Sequence, residues 1–140
     1  MSIKRSATGL FLLELLVVIL FFSISAAVCL RMFTAARLAA SYSDNVSLAV
    51  VQAQSAAECF KTARGDLADA ASLLGAEATE TGLIAYYDKA WEICGESDAV
   101  FTLTLTANGY EAHISVADEK TEYVAIDAVA AARLYGEVAA

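Results

Sequence analysis

The sequence predicts an α+β protein in which a long amino-terminal helix, membrane-spanning in its first half, packs against a small carboxyl-terminal antiparallel sheet. The chain has no proline, and no glycine lies between Gly9 and Gly65, so no strong helix breaker interrupts that stretch. A predominantly apolar run extends from Leu10 to Leu30. After Gly82 the apolar residues recur at every second position, which is the period of a β-strand.

The apolar run, residues 10–30, is long enough to cross a bilayer. About 20 helical residues at 1.5 Å rise span a hydrocarbon core of ~30 Å. A cleaved secretory signal is the competing interpretation, with Ser25-Ala26-Ala27 as its cleavage site. The apolar region of such a signal has only about 7–15 residues, which is shorter than the run over residues 10–30. We therefore predict a transmembrane helix over residues 10–30, preceded by a leader of residues 1–9.

Charge gives a weak indication of membrane orientation. Lys4 and Arg5 precede the span, and Arg31 and Arg37 follow it. The basic residues are therefore nearly balanced between the two sides, and the positive-inside rule hardly distinguishes the two orientations. The chain carries a formal net charge of −8. If the leader is cytoplasmic, the acidic part of the chain that follows the span is exported. We predict a single-pass protein of the cytoplasmic membrane whose carboxyl-terminal domain is exported. The basic residues are scattered, so nucleic-acid binding has no support.

Residues 31–62 are predicted to continue the helix as an amphipathic segment. One face carries small and apolar residues at alternating spacings of four and three. These are Ala35, Ala39, Tyr42, Val46, Ala49, Ala53, Ala56 and Phe60. We expect this stripe to pack on the chain's own domain, since most amphipathic helices bury their apolar face there; a coiled-coil partner is the lesser alternative.

Residues 63–140 are predicted to form the exported globular domain. Gly65 ends the long helix, and Asp66 is expected to cap a short helix over residues 67–74 that Gly75 closes. Strands are predicted over residues 83–87 and 122–129, on either side of a hairpin. The apolar face of this sheet needs a cover, and the helix stripe is the nearest candidate.

The hairpin is predicted from alternating apolar and polar residues on both sides of Asn108-Gly109, a strong signal for a two-residue turn. A turn centred on these two residues sets the expected cross-strand pairs. They are Leu105 with Ala112, Leu103 with Ile114 and Phe101 with Val116.

The remaining reactive residues do not predict an enzyme, a cofactor or a metal site. Cys59 and Cys94 both fall in the exported part and form a possible disulfide, although the sequence gives no distance between them. The single histidine, His113, is expected on the polar strand face opposite Thr104 as a solvated residue. No nucleophile–base pair, phosphate-binding loop or paired-cysteine zinc spacing is present.

The leader and span resemble the class III signal of type IV prepilins and type II secretion pseudopilins. That signal has a short basic leader, a glycine at the cleavage point, an apolar first mature residue and a glutamate fifth in the mature chain. Here these are Lys4-Arg5, Gly9, Leu10 and Glu14. The resemblance implies that a prepilin peptidase cuts between Gly9 and Leu10 and methylates the new amine, and that Glu14 pairs with the amino terminus of a neighbouring subunit.

The resemblance also implies a pilin-like fold and a cell-surface filament. Its partners would be other pilin or pseudopilin subunits, the peptidase, a membrane assembly platform with its ATPase, and membrane lipid. Leu10 replaces the more usual phenylalanine, and the apolar helix lacks the glycine and proline of many major pilins. The missing helix breakers favour a minor pilin or a pseudopilin, since the helix should resist local melting. The alternative is a non-polymerising, single-pass protein with a small exported binding domain, which would not need Glu14.

Overall fold

The structure, a computed structural model, describes residues 2–130, with side chains from Ala7 onward. It confirms the α+β prediction: a long helix packs against a five-stranded antiparallel sheet. The elements are α1 (Ser2–Thr62), α2 (Leu67–Leu74), β1 (Glu77–Ala78), β2 (Gly82–Tyr87), β3 (Phe101–Asn108), β4 (Glu111–Ala117) and β5 (Glu122–Val129). Residues 131–140 of the predicted exported domain lie outside the described residues.

Helix α1 begins at Ser2 rather than near Leu10, because Gly9 does not interrupt it. A single glycine inside a helix costs about 1 kcal/mol relative to alanine, which a long run of good helix formers on its carboxyl side can tolerate. Contacts divide the chain between Tyr42 and Ser43 into two compact units, so α1 contributes residues to both.

The first unit contains the apolar part of α1. Its large apolar side chains are exposed on all sides of the helix, and this is the one helix in the described chain that is long and apolar enough to cross a membrane. Ser23 Oγ donates to the Ile19 carbonyl (2.8 Å), and Thr34 Oγ1 donates to that of Leu30 (2.7 Å). Both hydroxyl protons are therefore satisfied within the helix.

The second unit places the sheet over the last part of α1. Its strands follow the order β1-β2-β3-β4-β5, so each pairs with its sequence neighbour. One sheet face is buried and the other carries mostly polar side chains, as expected for a one-sided antiparallel sheet. The largest fully buried side chains are Tyr87, Phe60, Leu83, Leu103, Leu105, Ile114 and Val116.

The helix stripe is buried only in its carboxyl-terminal half. Ala49, Ala53, Ala56 and Phe60 are fully buried in the core, as predicted. The earlier stripe positions, from Ala35 to Tyr42, are exposed, so the expectation that the whole stripe packs on the chain's own domain is wrong for that part. Alanine at the buried positions lets the helix backbone approach the sheet closely.

The hairpin register differs by two residues from the predicted one. Leu105 pairs with Ile114 and Leu103 with Val116, while Asn108 pairs with Glu111. The loop is therefore Gly109-Tyr110, with Gly109 at φ +67°, and a glycine at the first loop position suits a type II′ turn. Moving the loop by one residue shifts the pairing by two, so every apolar side chain stays on the predicted face.

The short helix α2 has the predicted bounds and caps. Asp66 Oδ1 accepts hydrogen bonds from the backbone N–H groups of Ala68 (2.9 Å) and Asp69 (3.2 Å). These two donors would otherwise be unpaired at the start of the helix. The helix places Ala70 and Ala71 in the core, and it ends at Gly75.

Candidate functional site

The proposed cleavage point lies on α1, and its surroundings are open. A Cβ added at Gly9 would meet no atom within 4 Å, and Leu10 is 64% exposed. The Gly9–Leu10 peptide bond is part of the continuous helix, so a peptidase would have to unwind the helix locally to reach it. Glycine suits that step because its backbone enters non-helical conformations at low cost.

Glu14 lies on the same helix, within the apolar run. In the part of the chain that the structure describes, its carboxylate makes no ion pair or hydrogen bond. The positions one helical turn away on either side, Phe11 and Val18, are apolar and exposed. If the apolar run lies in a bilayer, a charged side chain within it is costly, by roughly 2.5 kcal/mol or more at the centre. Residues 7–130 supply no partner for this carboxylate.

The arrangement can bind a cation brought by another molecule. A carboxylate in a low-dielectric environment forms strong, charge-assisted hydrogen bonds with an ammonium group. Leaving either charge buried and unpaired would be strongly unfavourable. In such an environment, an ammonium group is a suitable partner for the Glu14 carboxylate.

Cys59 and Cys94 are half-buried and carry free thiols in the structure. Burial raises the pKa of both thiols; Glu58 contributes further at Cys59, and Asp88 and Asp98 contribute at Cys94. The disulfide between the two cysteines stays a prediction, which non-reducing peptide mapping of the exported protein would test.

One contact that the sequence did not predict joins the β2–β3 connection to α1. The indole Nε1 of Trp91 donates a hydrogen bond to Asn45 Oδ1 (3.3 Å), and the indole ring stacks on Phe101 with centroids 4.1 Å apart. Trp91 adopts φ +62°, an uncommon conformation for a large residue. The Tyr87 ring also lies beside the indole, with ring centroids 6.0 Å apart.

His113 is exposed on the polar sheet face, as predicted. It pairs across the sheet with Thr106 rather than Thr104, and its Nδ1 lies 2.7 Å from Asp127 Oδ1 on β5. The two side chains line a shallow depression of about 530 Å³. Asp127 was missed because only the pairing of β4 with β5 brings it beside His113.

No metal-binding cluster of three or more histidine, cysteine or carboxylate residues occurs among the described residues. Comparison with known proteins gives no relative from which a role could be transferred. No protein-family model matches the chain, and neither a curated protein nor a solved structure matches it. The chemistry of the candidate site therefore rests on Gly9, Leu10 and Glu14 themselves.

Proposed function

We propose that this protein is a structural subunit, a minor pilin or pseudopilin, of a type IV pilus-like or type II secretion-like filament. The span anchors the precursor in the cytoplasmic membrane, and the sheet domain is exported. Support comes from the α+β fold, the long apolar amino-terminal helix and the spacing of Gly9, Leu10 and Glu14.

In this proposal, a prepilin peptidase hydrolyses the Gly9–Leu10 bond. Water adds across the bond, so the leader leaves with a carboxylate and the mature chain begins with an amine on Leu10. Methylation of that amine keeps its positive charge. The cut removes Lys4 and Arg5, the two basic residues that precede the span.

The observation that carries the proposal is the unpaired Glu14 carboxylate on an apolar helix. The amine of a neighbouring mature chain would neutralise it as the two helices pack together. Since only one depth of packing pairs the two charges, the same contact that relieves the cost of burial also sets the register between subunits.

The test is incorporation of a Glu14→Ala variant into filaments at equal membrane levels. Insertion into the membrane should be unchanged or improved, because a charge that opposes insertion is gone. Co-isolation with filament subunits should fall sharply, because the neighbour's amine loses its partner. Ser25→Ala is the matched control, since it changes another polar residue of the span outside the motif, and it should assemble normally.

Equal incorporation of Glu14→Ala and the unmodified protein would contradict the proposal. That result would favour the second function, a membrane-anchored protein with a small exported binding domain that does not polymerise. The two outcomes differ in one measured quantity, the ratio of variant to unmodified protein in the filament fraction.

A further inference from the structure

Two arginines mark the carboxyl-terminal end of the apolar run. Arg31 directly follows Leu30, and Arg37 lies six residues further along α1. No aspartate or glutamate occurs between Glu14 and Asp44, so neither arginine has a carboxylate within reach on the adjacent turns of its own helix. Within residues 7–130, neither guanidinium makes an ion pair or a hydrogen bond.

The Arg37 side chain turns back toward the span. Its Cζ lies 5.1 Å from the centroid of the Phe33 ring, one helical turn earlier. Helical side chains lean toward the amino terminus, which places this guanidinium near the level of Phe33. Both Phe33 and Leu38 are exposed, so the arginine is surrounded by apolar side chains as well as by solvent.

We propose that Arg31 and the Phe33–Arg37 pair, which lie on different faces of α1, form an interfacial collar that binds the phosphates of anionic phospholipid headgroups at the carboxyl-terminal end of the span. The planar guanidinium presents a fork of N–H donors that matches a phosphate with two parallel hydrogen bonds. An aromatic ring and long basic side chains are the residues that settle at the boundary between acyl chains and headgroups. The collar rests on the membrane location in the proposed function, but it needs no filament.

A lipid headgroup fits these observations better than a soluble anion. The collar begins where the apolar run ends, so its arginines lie at the depth where lipid phosphates are concentrated. The exposed apolar side chains beside it would contact the acyl chains of the same lipid. A free phosphate would gain nothing from Phe33 or Leu38.

The experiment uses the full chain inserted into phosphatidylcholine vesicles that contain a minor fraction of phosphatidylglycerol. The protein is extracted in mild detergent and the lipids that remain bound are quantified. Basic residues near an anionic surface attract anionic lipid, so the two arginines should enrich phosphatidylglycerol over its bulk fraction on the order of tenfold or more. The R31Q/R37Q variant should lose this enrichment.

The matched control is K61Q/R64Q, which removes two positive charges from the second structural unit and should keep the enrichment. Membrane insertion of each variant is verified by resistance to alkaline extraction. Equal enrichment in R31Q/R37Q and the unmodified protein would overturn the collar. Loss of the bound lipid in excess inorganic phosphate would overturn the lipid assignment, whereas retention supports it. None of these readouts depends on Glu14 or on assembly, so failure of the collar is distinguishable from failure of the proposed function.

Discussion

Trp91 Nε1 donates a hydrogen bond to Asn45 Oδ1 across 46 residues of sequence. The bond ties the connection between β2 and β3 to the helix that covers the sheet. Trp91 is buried against Phe101 and Tyr87, so its indole N–H needs a partner where water is scarce. Asn45 supplies that partner from the start of the second structural unit.

The first prediction concerns this bond. Asn45→Ala should lower the free energy of unfolding by about 1–3 kcal/mol, because the partly buried indole N–H loses its partner. Trp91 is the only tryptophan, so its fluorescence during urea unfolding in detergent reports the change. Gln54→Ala, at an exposed position of the same helix, is the control and should stay within about 0.5 kcal/mol of the unmodified protein. An Asn45→Ala variant as stable as the control would show that the bond contributes nothing.

A second prediction follows from a close backbone approach at Gly82. A Cβ added there would lie 1.8 Å from the carbonyl oxygen of Leu105, so β2 and β3 would have to separate. Gly82→Ala should therefore destabilise the domain by about 1–3 kcal/mol or more, as overpacking does. Gly95→Ala is the matched control, because a Cβ at Gly95 meets no atom within 4 Å. Thermal unfolding followed by circular dichroism compares the two, and equal midpoints would refute the steric argument.

Asp118 gives a prediction about pH. The Tyr123 hydroxyl donates to its Oδ2 (2.7 Å), and the backbone N–H groups of Lys120 and Thr121 donate to its Oδ1 (both 2.8 Å). These bonds, the tyrosine's first, hold the pKa of the Asp118 carboxyl below its usual value. The stability it contributes is therefore fully present above the unfolded-state pKa of about 4 and is lost as the pH falls through the lower folded-state pKa.

We expect Asp118→Ala to lower the free energy of unfolding by about 1 kcal/mol at neutral pH, as the loss of a helix-capping side chain does. The difference in unfolding free energy between the variant and the unmodified protein should shrink below about pH 4. Urea unfolding at a series of pH values measures it. Glu119→Ala changes the neighbouring exposed carboxylate and should cost less than about 0.5 kcal/mol. A difference between Asp118→Ala and the unmodified protein that stayed constant down to the lowest pH would contradict the assignment.

Processing at Gly9 supplies the last prediction. Gly9→Val should leave uncut precursor in the membrane, because a bulky side chain then stands directly beside the bond that the peptidase must bind. Open space around Gly9 means that the change disturbs no packing, so loss of cleavage cannot be attributed to misfolding. Mass spectrometry of the unmodified protein should find Leu10 at the amino terminus, and Ala7→Val serves as the control. An intact Met1 leader in assembled protein, or a cut near Ala27, would contradict the prediction.

The sequence by itself determined the type of most elements and many of their limits, although the two-residue strand β1 and the start of α1 at Ser2 were not predicted. Periodicity and capping residues are local, so α2, its Asp66 cap and β5 were all predicted with the bounds that the structure shows. The buried faces of β3 and β4 were also predicted, because a period of two fixes them whatever the register. For the candidate site, the spacing of Gly9, Leu10 and Glu14 was readable from the chain alone.

Only the tertiary structure decided which distant residues meet. The register of the hairpin depended on whether the loop starts at Asn108 or Gly109, and both choices satisfy the same apolar pattern. The helix stripe continues unchanged through Tyr42, but the sheet covers it fully only from Ala49 onward. The pairs Trp91–Asn45 and His113–Asp127 leave no local signal, because each depends on the way separate elements pack or pair. Local patterns specify elements, whereas contacts between elements depend on packing that no single segment contains.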